Sequence, residues 1–184
     1  DSEYGTVSKL YKETGKITSP MGCRAYLSPW QDPETGEYIT IGRNNAGAVS
    51  LHLPLIWEIA KYEHPEAIEE NFYKLLDDRL QMIREFLNKR YDALANMPCS
   101  SNPLCYTQGG LYKGHKKPDE KIGDLVNYMT ASFGITALHE LTECARGCSL
   151  REDKASFAKE VVKHIKDKVD QFKKEDGRLY ALYG

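Results

Sequence analysis

The chain has 184 residues, with 25 Lys and Arg against 27 Asp and Glu and a formal net charge of −2, which leaves no basic footprint for nucleic acid. With 41% hydrophobic and 28% charged residues, the composition is globular, neither disordered nor fibrous. No apolar run approaches the roughly 20 residues of a membrane span, no signal peptide is recognisable, and five cysteines at irregular spacing suit a reducing, cytoplasmic setting better than a disulfide framework.

In chain order, residues 1–16 mix charge with turn signals. "ITSPMGCRAYLSPW", residues 17–30, holds Cys23 between Gly22 and Arg24, and "QDPETGE" breaks the chain after it. "YITIGRNNAGAVSLHLPLIW" is rich in Ile, Val, Thr and Ser and reads as extended. Its "GRNNAG" reads as a turn-like interruption, because Gly and Asn tolerate left-handed backbone. Pro54 suits the first turn of a short helix, "LIWEIAKYE".

Residues 65–97 carry Ile68, Phe72, Leu75, Leu76, Leu80, Ile83, Leu87 and Tyr91 at spacings of three and four, which predicts a long amphipathic helix. Pro65 and the acidic Glu66, Glu69 and Glu70 favour its start. "LCYTQ" reads as a short buried strand ending at Gly109 and Gly110, and a short helix is expected from Asp119. "ASFGITAL" reads as a strand, with Gly134 marking close backbone approach. "HELTECARG" reads as a helix closed by Gly147, residues 151–177 as a second long amphipathic helix, and "RLYALYG" as a last strand. Short apolar strands alternating with amphipathic helices mean an α/β fold with a mostly parallel sheet. Both ends read as cuts, so one segment of a longer protein is expected.

Cys144 and Cys148 sit four apart with His139 nearby, but a tetrahedral site needs three or four ligands. The pair reads as buried cysteines acting as small apolar side chains, and no metal is expected. Gly22 leaves the Cys23 side chain free to sit on a tight loop tip. A cysteine nucleophile would want a histidine base, yet none of His52, His64, His115, His139 and His164 is tied to it by sequence. From the residues alone Cys23 reads as a structural thiol. Asn44 and Asn45 either contact a substrate or make a turn. Gly109 and Gly110 would admit a phosphate or sugar close to the backbone, a weak signal by itself.

Taken in order, "SPMGCRAYLSPW", "GRNNAGAVSLHLPLI", "LCYTQGGL", "ASFGITALHEL" and "RLYALYG" resemble the catalytic barrel of anaerobic, class III ribonucleoside-triphosphate reductases, which are glycyl radical enzymes. The resemblance runs from about Thr18 to the end, and "MGCR" and "GRxNxGxVSLxLP" are its most specific parts.

The resemblance reverses the reading of Cys23. It implies a ten-stranded α/β barrel with helices packed outside and a finger loop inside, with Cys23 at the tip of that loop. It implies a glycyl radical, made by an S-adenosylmethionine/iron–sulfur activating protein, that generates a thiyl on Cys23. The thiyl then abstracts hydrogen from the 3′ carbon of a ribonucleoside triphosphate. Such a relay needs a dry pocket and no base.

By motif position Asn45 is the catalytic asparagine that orients the ribose hydroxyls or formate, the expected reductant; an amide both donates and accepts but is no base. Met21, Asn44, Gly109 and Gly110 become the candidate substrate-binding positions. The resemblance further implies a homodimeric, cytoplasmic enzyme of deoxyribonucleotide synthesis for DNA replication. Its glycyl radical loop, zinc motif and ATP-binding, nucleotide-sensing domain would lie outside residues 1–184. Two other readings remain open: a non-catalytic α/β nucleotide-binding or interaction module, and a cysteine hydrolase, which requires a histidine beside Cys23 and an oxyanion hole.

Overall fold

A computed structural model of the chain describes residues 11–17 and 27–184. Three parallel strands lie in the order β1 (Asn45–His52), β2 (Thr130–Thr136), β3 (Leu179–Tyr183). Between β1 and β2 run helices α1 (Leu53–Glu63), α2 (Ile68–Asn96) and the short α3 (Pro103–Tyr106), followed by a 3₁₀ helix at Gly123–Tyr128. Between β2 and β3 run α4 (Leu138–Arg146) and α5 (Ser156–Asp176). The α/β expectation holds at this level: each parallel pairing needs a long crossover, and helices supply both.

The periodic segments fold as their patterns predict. Along α2, Phe72, Leu76, Leu80, Ile83, Leu87 and Tyr91 form one buried stripe. Along α5, Phe157, Val161, Ile165, Val169 and Phe172 do the same. Phe72, Trp57 and Phe157 meet with ring centroids 5.3–6.4 Å apart, and Phe133 of β2 lies 6.2 Å from Phe172 and 5.3 Å from Tyr180. The helices therefore cover one side of the sheet, where Leu51, Ala131, Phe133 and Tyr180 join the core. His52 ends β1 and caps α1, its Nδ1 accepting from Leu55 N at 3.2 Å, with Pro54 in the first turn. Gly147 and Gly177 close α4 and α5 in the left-handed conformation. Gly134 is required by close approach: a Cβ there would sit 2.4 Å from Ser50 Oγ.

Several expectations are corrected. "LCYTQ" is no strand. Asn102 Oδ1 accepts from Cys105 N at 3.3 Å and Pro103 follows as the first helical residue, a cap that turns the run into α3. "GRNNAG" bends only at residues 41–42. From Asn45 it is already strand, and its extra residue is absorbed as a bulge between Asn45 and Gly47. The last long helix starts at Ser156, not at 151, because Asp153 Oδ2 caps Phe157 N at 2.9 Å. The helix expected from Asp119 is the 3₁₀ turn at Gly123–Tyr128, and of the two cysteines expected to be buried, Cys144 is exposed on α4 and Cys148 only half-buried after it. Among the described residues no helix is long and apolar enough to cross a membrane.

Candidate active site

Side chains alternate across a strand, so the face opposite the helices carries Asn45, Ala48 and Ser50 from β1, Thr130, Ser132 and Gly134 from β2, and Leu179, Ala181 and Tyr183 from β3. Across β1 and β2 it is small and hydroxyl-bearing, with the larger Leu179 and Tyr183 on β3, where the helix side is aromatic and aliphatic. Ser132 and Thr130 are fully buried.

Asn45 sits at the start of β1, opposite Thr130. Its Nδ2 donates to Ser132 Oγ at 2.7 Å, and its Oδ1 accepts from Gly47 N at 2.8 Å across the bulge. The amide is thus held at both ends on the polar face, with a second N–H and a second oxygen lone pair to offer. The bulge that aims it is packed close by Arg90: a Cβ at Gly47 would lie 2.8 Å from Arg90 Nε, and that same Nε donates to Ala46 O. Asn44 differs. Its backbone O accepts from Thr130 N at 3.0 Å, pinning β1 to β2. Its Oδ1 is buried and, among the described residues, has no hydrogen-bond partner.

Gly109 and Gly110 lie in the loop after α3. Their N–H groups donate to Gly114 O at 2.8 Å and Leu104 O at 2.9 Å, so the loop's own carbonyls use the donors a phosphate would need. Both are glycines for packing: a Cβ would reach His115 at 2.3 Å or Leu104 O at 2.5 Å. The loop nevertheless meets the "GRNN" stretch, since Tyr112 N donates to Gly42 O at 2.6 Å. Gly109, Leu111 and Tyr112 share with Ile39, Ile41 and Gly42 an open cavity of about 730 Å³. Asn45 does not line it.

Cys23 and Met21 lie outside the described residues. The five histidines have other engagements: His52 caps α1, His64 meets Glu66, His139 meets Glu143, His164 meets Asp77, and His115 stacks over Gly109. Among the described residues no group of three or more His, Cys, Asp or Glu is placed to hold a metal.

Sequence reasoning missed Arg43. It is 6% exposed, and burial draws its guanidinium down to about 10. Its Nη1 donates to Ser28 O at 2.9 Å and Ile39 O at 3.3 Å, and its Nε to Tyr128 O at 3.0 Å. Nothing in the spacing marks an arginine as buried. Ser132 was legible: "TASFG" alternates small polar with apolar residues, the signature of a strand with two unlike faces.

The family model for anaerobic ribonucleoside-triphosphate reductase matches residues 3–184. The chain is 33% identical over 180 residues to the anaerobic ribonucleoside-triphosphate reductase of Salmonella typhimurium and 32% identical over 180 residues to that of Escherichia coli, covering 95% of this chain and 24% of each relative. It is 30% identical over 167 residues to that of Enterobacteria phage T4, covering 90% of this chain and 26% of the relative. The chain therefore spans about a quarter of the length of the relatives it matches. A match across nearly the whole sequence shows that the chain belongs to the anaerobic ribonucleoside-triphosphate reductase family.

Proposed function

We propose that residues 1–184 are the part of an anaerobic ribonucleoside-triphosphate reductase that carries its substrate-activating cysteine and asparagine. The parallel sheet with helices on one side is then one arc of a ten-stranded barrel whose inner face is the polar one. The observation that carries the reading is the Asn45 amide, fixed by Ser132 and Gly47 on that face, in a chain that belongs to the family.

A glycyl radical, formed outside this segment by an activating S-adenosylmethionine/iron–sulfur protein, would be the source of the unpaired electron at Cys23 and would be regenerated after each turnover. Cys23 then works as a hydrogen-atom relay. As a thiyl it takes hydrogen from the ribose 3′ carbon; the C–H bond breaks, an S–H bond forms, and the unpaired electron moves to the sugar. Asn45, neutral at every relevant pH, holds the ribose hydroxyls or formate by donating and accepting. Overall the 2′ hydroxyl takes up a proton and leaves as water, formate gives up two electrons and becomes carbon dioxide, and the hydrogen held on Cys23 returns to the 3′ carbon, restoring the thiyl. Beside Asn45, the β1–β2 part of the inner face carries the small side chains Ala48, Ser132 and Gly134, which fit a sugar there. The active enzyme is a cytoplasmic homodimer. In the full-length enzyme Asn45→Ala should lower reduction of a ribonucleoside triphosphate by about 100-fold, as loss of one preorganised hydrogen-bond donor does, with the glycyl radical signal intact. Wild-type turnover in that variant overturns the assignment.

A further inference from the structure

Ser28 is held at all three of its polar atoms. Its N–H donates to Thr130 Oγ1 at 3.1 Å, its carbonyl accepts from Arg43 Nη1 at 2.9 Å, and its hydroxyl accepts from Lys173 Nζ at 2.8 Å. The grips come from three elements: the start of β2, the residues before β1, and α5. Arg43 is the hub. Besides Ser28 it holds Ile39 O and Tyr128 O, and its Nη2 lies 3.5 Å from Thr130 Oγ1. Its planar fork serves acceptors spread over separate segments, which a single ammonium cannot do. Removing it would leave the buried Ser28 carbonyl, and the part-buried carbonyls of Ile39 and Tyr128, without this donor. In sequence Arg43 stands two residues before Asn45, and Ser28 five residues after Cys23.

We propose that Arg43 is a positioning residue: by clamping Ser28 against the start of β1 and β2, it fixes the relation between the chain that leads from Cys23 and the strand that presents Asn45. The proposal rests on the roles of Cys23 and Asn45 given above. Arg43 touches neither substrate nor reacting atoms, and geometry, not charge, is what it contributes.

The test uses the full-length enzyme with Arg43→Gln and Arg43→Lys. With both, kcat per glycyl radical should fall about 100-fold, the scale set by a misplacement of roughly 1 Å, while KM for the nucleotide changes little. In the unactivated protein, amide hydrogen exchange at Ser28, whose N–H donates to Thr130 Oγ1, should speed up about tenfold, the mark of local opening, and stay unchanged at Cys99, whose N–H donates to Glu120 O. Wild-type kcat in Arg43→Lys overturns the proposal, because charge alone would then suffice. So does unchanged Ser28 exchange in Arg43→Gln. So does an equal rise at Cys99, which would make the arginine a general stabiliser. If Arg43→Gln does not accumulate, Thr130→Val removes the hydroxyl that takes the Ser28 N–H; kcat per glycyl radical should still fall about tenfold with little change in KM, and an unchanged kcat overturns the clamp. Turnover persisting in Cys23→Ala would sink the functional reading and leave the exchange result standing, so the two failures are separable.

Discussion

Asp176, the last residue of α5, gathers the polar contacts that lock α5 and β3 onto α2. Its carboxylate accepts from Arg84 Nε at 2.9 Å and Nη2 at 2.5 Å, from Asn88 Nδ2 at 3.0 Å and from the Tyr180 hydroxyl at 2.8 Å. The Arg84 guanidinium, then Asn88 and Tyr180, hold it down at about 2 against an ordinary 3.8, with burial opposing them. That gap converts to about 2.5 kcal/mol. The side chains of Arg84 and Asp176 keep 18% and 14% exposure, and solvent screening brings the working figure to about 1–2 kcal/mol. The group is depressed in the folded state, so its stabilisation is complete above about pH 4 and is lost as pH falls toward 2. Asp176→Asn should therefore cost the β3 amides about 5–30-fold in hydrogen-exchange protection at neutral pH. Compared with wild type at each pH, so that intrinsic exchange cancels, the penalty should shrink to nothing near pH 2. A penalty equally large at pH 7 and at pH 2.5, or none at pH 7, refutes the reasoning.

Three further outcomes follow from packing. Leu80 is fully buried on α2, so Leu80→Ala should destabilise by about 2–5 kcal/mol; a denaturant midpoint unmoved from wild type would show that the helix face was misread. Gly134→Ala places a Cβ 2.4 Å from Ser50 Oγ and should cost about 1–3 kcal/mol as overpacking. Adding Ser50→Ala should recover part of that loss, and no recovery means that the clash lies elsewhere. Among the described residues the sheet has β1 and β3 at its edges. Expressed alone, the segment should self-associate through them, and a concentration-independent monomer in sedimentation would contradict this.

How far the fold was legible depends on how long each pattern ran. Stripes at spacings of three and four over residues 68–91 and 157–172 had enough turns to leave only the helix ends in question. "ASFGITAL" was bounded by unlike neighbours, and Gly134 reported a contact that a side chain would block. "LCYTQ" was too short for periodicity to separate strand from helix, and the preceding Asn102-Pro103 cap decided the matter. In the site, Asn45 was visible only through its motif, because the bulge that aims it depends on Arg90, 45 residues away. Arg43 was hidden for a related reason: burial of a cation is set by carbonyls from residues 28, 39 and 128, which meet only in the folded chain.

The central claim is that Cys23 relays the hydrogen atom in substrate activation. The direct measurement is product formation by Cys23→Ala in the activated full-length enzyme, with the glycyl radical followed by electron paramagnetic resonance in the same sample. The account predicts a normal radical signal and no deoxyribonucleotide. Deoxyribonucleotide formed at the wild-type rate would contradict it.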